Sequence, residues 1–121
     1  MSYSRAERVG DLIKKEIAEL LQHGDIKDPR VGFVTITRVK MSRDLKLAHV
    51  FFSMLGDDEQ QRRRSREGLM SACGFIRRRL AKSLDLKHIP VVDFLFDDSI
   101  EYGSRIERIL RDIREDDEEG R

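Results

Sequence analysis

Apolar side chains recur at Val9, Ile13, Ile17, Leu20 and Leu21, the three-and-four spacing that turns one face of a helix inward. Polar Ser4 opens this stretch and Gly24 closes it, so the pattern predicts an amphipathic helix over about residues 4–23. After the turn-forming Gly24, Asp28, Pro29 and Gly32 the period changes to two. Phe33, Thr35, Thr37 and Val39 alternate with Val34 and Ile36, as in a half-buried strand that reaches Lys40. A second run of this kind covers residues 46–54, and Ser42, Arg43 and Asp44 lie between the two, so an antiparallel hairpin is predicted.

Gly56, Asp57 and Asp58 mark a loop and a helix start, with acids suited to the positive end of the helix dipole. From there Leu69, Cys73, Ile76, Leu80 and Leu84 keep a helical stripe over about four turns. Gly68 and Gly74 interrupt it, each costing about 1 kcal/mol relative to alanine, and a kink is predicted near Gly74. Pro90 stops the helical stretch, and residues 91–96 read as a third strand with Val92, Phe94 and Phe96 on one face. Asp98 and Glu101 have the spacing of a capping box ahead of a last helix carried by Ile106, Ile109, Leu110 and Ile113. No apolar helix face is left over in this reading, which favours a monomer. Residues 1–114 form one domain, and residues 115–121 an acidic flexible tail.

The element order α-β-β-α(kinked)-β-α gives an α+β fold with helices packed on one face of a three-stranded sheet. It resembles the type II KH-like arrangement of small RNA-binding domains. KH modules grip single strands with a GXXG loop between two helices, where small residues let the backbone approach phosphates. This chain has no such motif; at the corresponding bend it reads Ser71-Ala72-Cys73-Gly74, a small-residue kink in place of the loop.

Composition sharpens the functional question. The 121 residues fit a single domain, and 39% hydrophobic against 39% charged residues imply a small core under a large polar surface. No apolar run approaches the roughly 20 residues of a membrane span, and residues 1–7 lack the layout of a signal peptide, so a cytoplasmic protein without a membrane partner is expected. The single cysteine, Cys73, forms no internal disulfide. A net charge of +1 conceals a dipolar chain. Residues 60–88 hold nine Lys and Arg against two acids, whereas residues 89–121 hold eleven acids against five bases. The basic block suits a polyanion bound in a salt-dependent way; the plainer reading is a solvated helix face.

Several segments together resemble the ribosome-binding factor A (RbfA) family of bacterial small-subunit assembly factors. They are Arg5-Ala6-Glu7-Arg8-Val9, Ile26-Lys27-Asp28-Pro29-Arg30-Val31, Ser42-Arg43-Asp44-Leu45, the Ala72-Cys73-Gly74 kink, residues 90–96 followed by Asp98-Ser99, and Glu101-Tyr102-Gly103-Ser104-Arg105-Ile106. The similarity runs over about residues 4–113. It implies binding to the free 30S small subunit rather than to mature 70S ribosomes or polysomes, contact with 16S ribosomal RNA, a role in late 30S maturation and 16S 5′-end processing, and importance in the cold. It also implies release by a GTPase, RsgA.

On a helical wheel Arg64, Ser71, Arg78 and Lys82 fall opposite the core stripe, so these cations face solvent and suit backbone phosphates. Arg77 and Arg79 lie on its flanks, where RNA contact and packing of their stems both remain open. The hairpin bases Arg38, Lys40, Arg43 and Lys46 make a second candidate RNA patch, or else polar strand edges that discourage aggregation. Tyr3 and Tyr102 are the only tyrosines, tryptophan is absent, and the phenylalanines read mostly as strand core, so backbone and shape recognition is favoured over base readout. Catalytic and metal chemistry find no support, and no cofactor is expected. His23, His49 and His88 lack metal-site spacing, no GxxxxGK[ST], GxSxG or HExxH occurs, and Cys73 reads as a core residue. A second reading is a protein-interaction adaptor that docks an acidic partner on the basic helix, with the acidic tail folding back to tune affinity.

Overall fold

The computed structural model describes residues 3–56 and 58–119, with the backbone alone at 100–102, 104 and 116–119. The elements follow in the order α1 (Arg5–Gln22), β1 (Val34–Met41), β2 (Leu47–Met54), α2 (Glu59–Ser71), α3 (Cys73–Ser83), β3 (Val91–Phe96) and α4 (Ser99–Glu119). The helix starts obey local chemistry. Ser4 Oγ accepts the Glu7 N–H at 3.1 Å, and Asp58 Oδ1 accepts those of Gln60 and Gln61 at 2.9 and 3.4 Å. Asp57, paired with Asp58 in the sequence reading, lies outside the described residues. Gly24, at φ 72°, supplies the left-handed residue that ends α1.

The sheet order is β1-β2-β3. β1 and β2 pair antiparallel across the expected hairpin, whereas β3 lies parallel to β2. A parallel neighbour requires a long crossover, and α2 with α3 provides it. The register of β1 slips between Ile36, opposite Phe52, and Arg38, opposite Phe51, which leaves Thr37 as the extra residue of a bulge. The Thr37 hydroxyl donates to Asp97 Oδ2 at 2.5 Å and lies 3.3 Å from the Phe51 carbonyl oxygen. The strict alternation expected for this strand is therefore corrected. Val34 and Ile36 face the helices before the bulge, Val39 and Met41 after it, and Arg38 and Lys40 are turned to the open face.

The core lies between sheet and helices: Val9, Ile13, Ile17 and Leu20 of α1, Leu69 of α2, Ile76 and Leu80 of α3, and Ile36, Ala48, Val50, Phe52, Val92 and Phe94 of the strands. Each fully buried Leu, Ile or Phe contributes about 1.5–3 kcal/mol. Two predictions about phenylalanine and α4 are corrected. Phe33 precedes β1 and is 91% exposed, not part of the core. Ile106, Ile109, Leu110 and Ile113 of α4 remain 37–55% exposed, so an apolar helix face is left over, because α1, α2 and α3 already fill the helix side of three short strands. At the start of α4 it is Asp97 whose Oδ1 accepts the Ser99 N–H, at 3.0 Å; the Glu101 side chain of the expected capping box lies outside the described residues. The α4 backbone runs on through residues 115–119 of the expected tail, and residues 120 and 121 lie outside the described part.

Candidate nucleic-acid interface

The bend that separates α2 from α3 falls at Ala72, one turn C-terminal to Gly68. Ala72 stays near the right-handed helical region at φ −85°, ψ −2°, and its N–H is shared between the Gly68 and Leu69 carbonyls at 3.1 Å each. Its own carbonyl accepts from Ile76 at 2.9 Å, which restarts the helix. No side chain caps the start of α3 and no acid occupies its first turn. Cys73 plugs the bend: its Sγ lies 3.6 Å from the Leu69 carbonyl oxygen and 3.5 Å from that of Val92. Burial first, and the Asp93 carboxylate second, push its thiol pKa up, which disfavours the thiolate that a nucleophile needs.

A clasp from the segment ahead of β1 holds the bend. A Cβ on Gly68 would sit 2.7 Å from Val31 Cγ2 and 3.2 Å from Asp28 Oδ1, so glycine lets residues 28–31 lie directly against α2. Buried Ser65 donates to the Arg30 carbonyl at 3.3 Å and accepts the Gly32 N–H at 3.2 Å. The Arg30 guanidinium grips Asp28 through Nε at 3.0 Å and Nη2 at 2.7 Å, and Nη2 also reaches Ser71 Oγ at 2.8 Å. These bonds, with the Arg30 backbone N–H on Asp28 Oδ1, hold the Asp28 carboxyl down at about 2. Arg30 is thus fixed at the mouth of the bend. It was not singled out as a site residue, although it stands in the Asp28-Pro29-Arg30 segment that carried the family resemblance.

The cations of the basic block divide by what they touch. Arg66 Nε donates to the Phe94 carbonyl at 2.7 Å, and Arg77 donates to those of Pro90 and Ile89 at 3.0 and 3.2 Å. With Cys73 against Val92, these side chains cover the outer carbonyls of β3 and close an edge that would otherwise be open. Arg77 therefore packs, and its charge is spent on that edge. Arg79 lies 3.7 Å from Asp25 and over Phe75, Arg62 sits 4.1 Å above the Phe96 ring, and Arg63 pairs with Glu59 at 3.9 Å. Arg64, Arg78 and Lys82 make no ion pair or hydrogen bond among the described residues. Gly74, Arg78 and Lys82 follow at four-residue steps opposite buried Ile76 and Leu80, giving a row of cations beside bare backbone.

The hairpin cations lie elsewhere. Arg38 and Lys40 project from the open sheet face, Arg38 with its guanidinium 4.1 Å from the Phe51 ring centroid and 3.8 Å from Asp97. In the turn, Asp44 accepts from Ser42 Oγ at 2.7 Å and from the Lys46 N–H at 3.1 Å, and Leu45 adopts φ 61°. Ser42 first, and the Lys46 N–H second, lower the Asp44 pKa. Arg43 is exposed at the tip, and Lys46 is drawn to Asp44. The fold thus brings Arg64, Arg78, Lys82 and Arg30 to the helix side and leaves Arg38 and Lys40 on the opposite face of the sheet.

A kinked two-helix unit packed with α1 on one side of a three-stranded mixed sheet, its bend made of small residues and its outer face carrying exposed cations, defines a KH-like α+β domain without a GXXG loop. The family model described as Ribosome-binding factor A matches residues 5–110. A Ribosome-binding factor A from Brevibacillus brevis is 51% identical over 113 residues, 93% of this chain and 92% of that protein, and one from Halothermothrix orenii is 40% identical over 121 residues, 100% and 98%. The solution structure of a putative ribosome binding factor A from Thermotoga maritima aligns with TM-score 0.67 at 36% identity over 83% of this chain and 96% of that one. Coordinates of the Thermus thermophilus factor fitted into a cryo-EM map of a 30S–RbfA complex share the fold, with TM-score 0.62 at 22% identity over 77% and 96%. The chain belongs to the ribosome-binding factor A family.

Proposed function

We propose that this chain binds the free 30S subunit through 16S ribosomal RNA and assists its late maturation, including processing of the 16S 5′ end, with its greatest importance in the cold. Arg64, Arg78 and Lys82 carry the contact, with Arg30 at the bend. The single observation behind this assignment is that these three exposed cations, Arg64 on α2 and Arg78 and Lys82 on α3, make no ion pair or hydrogen bond among the described residues, while Arg66 and Arg77 of the same helices are consumed by the β3 edge. Family membership, and the 30S complex named for the Thermus factor, supply the partner. The chain acts by binding alone, as a cytoplasmic factor without cofactor or turnover. A protein that prefers one conformer of the ribosomal RNA shifts its population by its differential affinity, so no catalytic group is needed. Release by the GTPase RsgA completes the proposal.

A second reading has an observation of its own. The exposed stripe of Ile106, Ile109, Leu110 and Ile113 on α4 suits a protein contact, as an adaptor requires. The experiment that separates the two is co-sedimentation with small subunits, large subunits and whole ribosomes over a salt series. Charge reversal at Arg78 and Lys82 abolishes retention in the RNA reading and leaves it intact where the contact runs through the α4 stripe.

A further inference from the structure

Phe33 is 91% exposed and Leu55 is 89% exposed, so neither is part of the core. The two residues flank Val34 and Met54, the outermost described pair of the β1–β2 ladder, so they stand together at the open end of the hairpin. Beside them is a cavity of about 290 Å³ that also involves Arg30, Gln61, Arg64 and buried Ser65, and no carboxylate among the described residues lines it. A second cavity of about 270 Å³ shares Phe33, Met54 and Leu55 and runs toward Thr35 and Asp97. Phe33 thus stands between the two recesses, and Arg30 and Arg64 line the first of them.

Building on the reading that this chain binds ribosomal RNA, we infer that this recess takes one unstacked nucleotide, its base lying on the Phe33 ring and its phosphate drawn to Arg64. Two features select a nucleotide over an apolar protein side chain. Arg30 shares its charge with Asp28, but Arg64 has no partner among the described residues and offers a full guanidinium to a phosphate. Gln61 presents a carboxamide, donor and acceptor together, of the kind that reads a base edge. Arg64 is exposed on α2, so the recess adjoins the kinked two-helix unit that carries the proposed backbone contact. A phenyl ring tolerates any base, and selectivity comes from stacking strength more than from sequence.

The test is fluorescence anisotropy of the full chain with labelled single-stranded hexamers of oligo(A) and oligo(U) and with an abasic hexamer carrying the same phosphates. The expected result is that Phe33→Ala weakens oligo(A) binding by about 5- to 150-fold, the loss of one stacked base, and leaves the abasic hexamer unaffected. Phe33→Tyr restores the affinity. Arg64→Ala weakens all three probes and lowers the salt slope by about 1. The inference is overturned if wild type does not prefer oligo(A) to the abasic hexamer, or if Phe33→Ala binds oligo(A) as wild type does. Parallel co-sedimentation with small subunits separates this inference from the proposal beneath it. Retention of Phe33→Ala on subunits, with no effect on the hexamers, removes the recess and keeps the proposed function. Loss of base-dependent hexamer binding in a chain whose wild type ignores small subunits keeps the recess and removes the proposed function. Loss of subunit retention by Phe33→Ala with unchanged hexamer affinity makes the occupant a protein side chain and overturns the inference.

Discussion

Glycine to alanine at positions 68 and 74 should have opposite signs, although both lie in the same kinked helical unit. Propensity alone favours alanine by about 1 kcal/mol at each position. At Gly74 a new Cβ meets only Arg78 Nη1, at 3.6 Å, which is ordinary contact with the end of a flexible chain. Gly74→Ala should therefore stabilise the fold by about 0.5–1 kcal/mol. At Gly68 the same methyl would lie 2.7 Å from Val31 Cγ2 and 3.3 Å from Arg30 Cβ. Val31 is β-branched and stiff, and Arg30 Cβ adjoins the backbone, so the whole of residues 28–31 must move away. Overpacking of this kind costs about 1–3 kcal/mol. Strain on the bond from the Gly32 N–H to buried Ser65 adds about 1 kcal/mol. The balance for Gly68→Ala is a loss of about 1–3 kcal/mol. Urea denaturation followed by far-ultraviolet circular dichroism gives both values from midpoints at constant slope. Stabilisation by both substitutions would refute the claim that Gly68 exists for close packing of the clasp.

The clasp also titrates. Asp28 is held at about 2 against an ordinary 3.8, so its contribution is complete above 3.8 and is lost as pH falls toward 2; Arg30→Met should return the carboxyl midpoint toward 3.8, as read by carbon-detected NMR titration, and an unchanged midpoint would refute the role of Arg30. Arg77→Ala removes two charged-donor bonds to the β3 edge and should cost about 1–2 kcal/mol, whereas Arg78→Ala should lie within about 0.5 kcal/mol of wild type and weaken RNA binding instead; equal stability losses in urea would contradict this division. Native Cys73 should react with iodoacetamide far more slowly near pH 8 than in the urea-unfolded chain, since burial raises its thiol pKa; equal rates would place the thiol outside the bend.

Much of the fold was legible because its causes are local. The stripe of α1, the caps at Ser4 and Asp58, the hairpin and a kink near Gly74, which the structure places two residues earlier at Ala72, each follow from neighbours within one or two turns. The bulge at Thr37 was not, because its partners Phe51 and Asp97 lie 14 and 60 residues away and decide the phase of the strand from outside it. For the same reason Val39 and Arg38 exchanged the faces that alternation assigned to them. The site was half visible. A wheel placed Arg64, Arg78 and Lys82 in solvent, but only the position of β3 reveals that Arg66 and Arg77 are consumed as edge covers. Phe33 sits in a β-like run that a core phenylalanine would also occupy, and periodicity does not tell a stripe that is buried from one that awaits a partner, as α4 shows.

The central claim is that unpaired cations on the kinked helix hold the chain to the small ribosomal subunit. Co-sedimentation of wild type and an Arg78→Glu, Lys82→Glu variant with small subunits, large subunits and whole ribosomes over a salt series tests it most directly. The account predicts retention of wild type on free small subunits alone, weakening as salt rises, and a variant that is lost from them with a salt slope smaller by about 1–2. Equal binding of wild type to all three particles, or a variant retained like wild type at moderate salt, would contradict it.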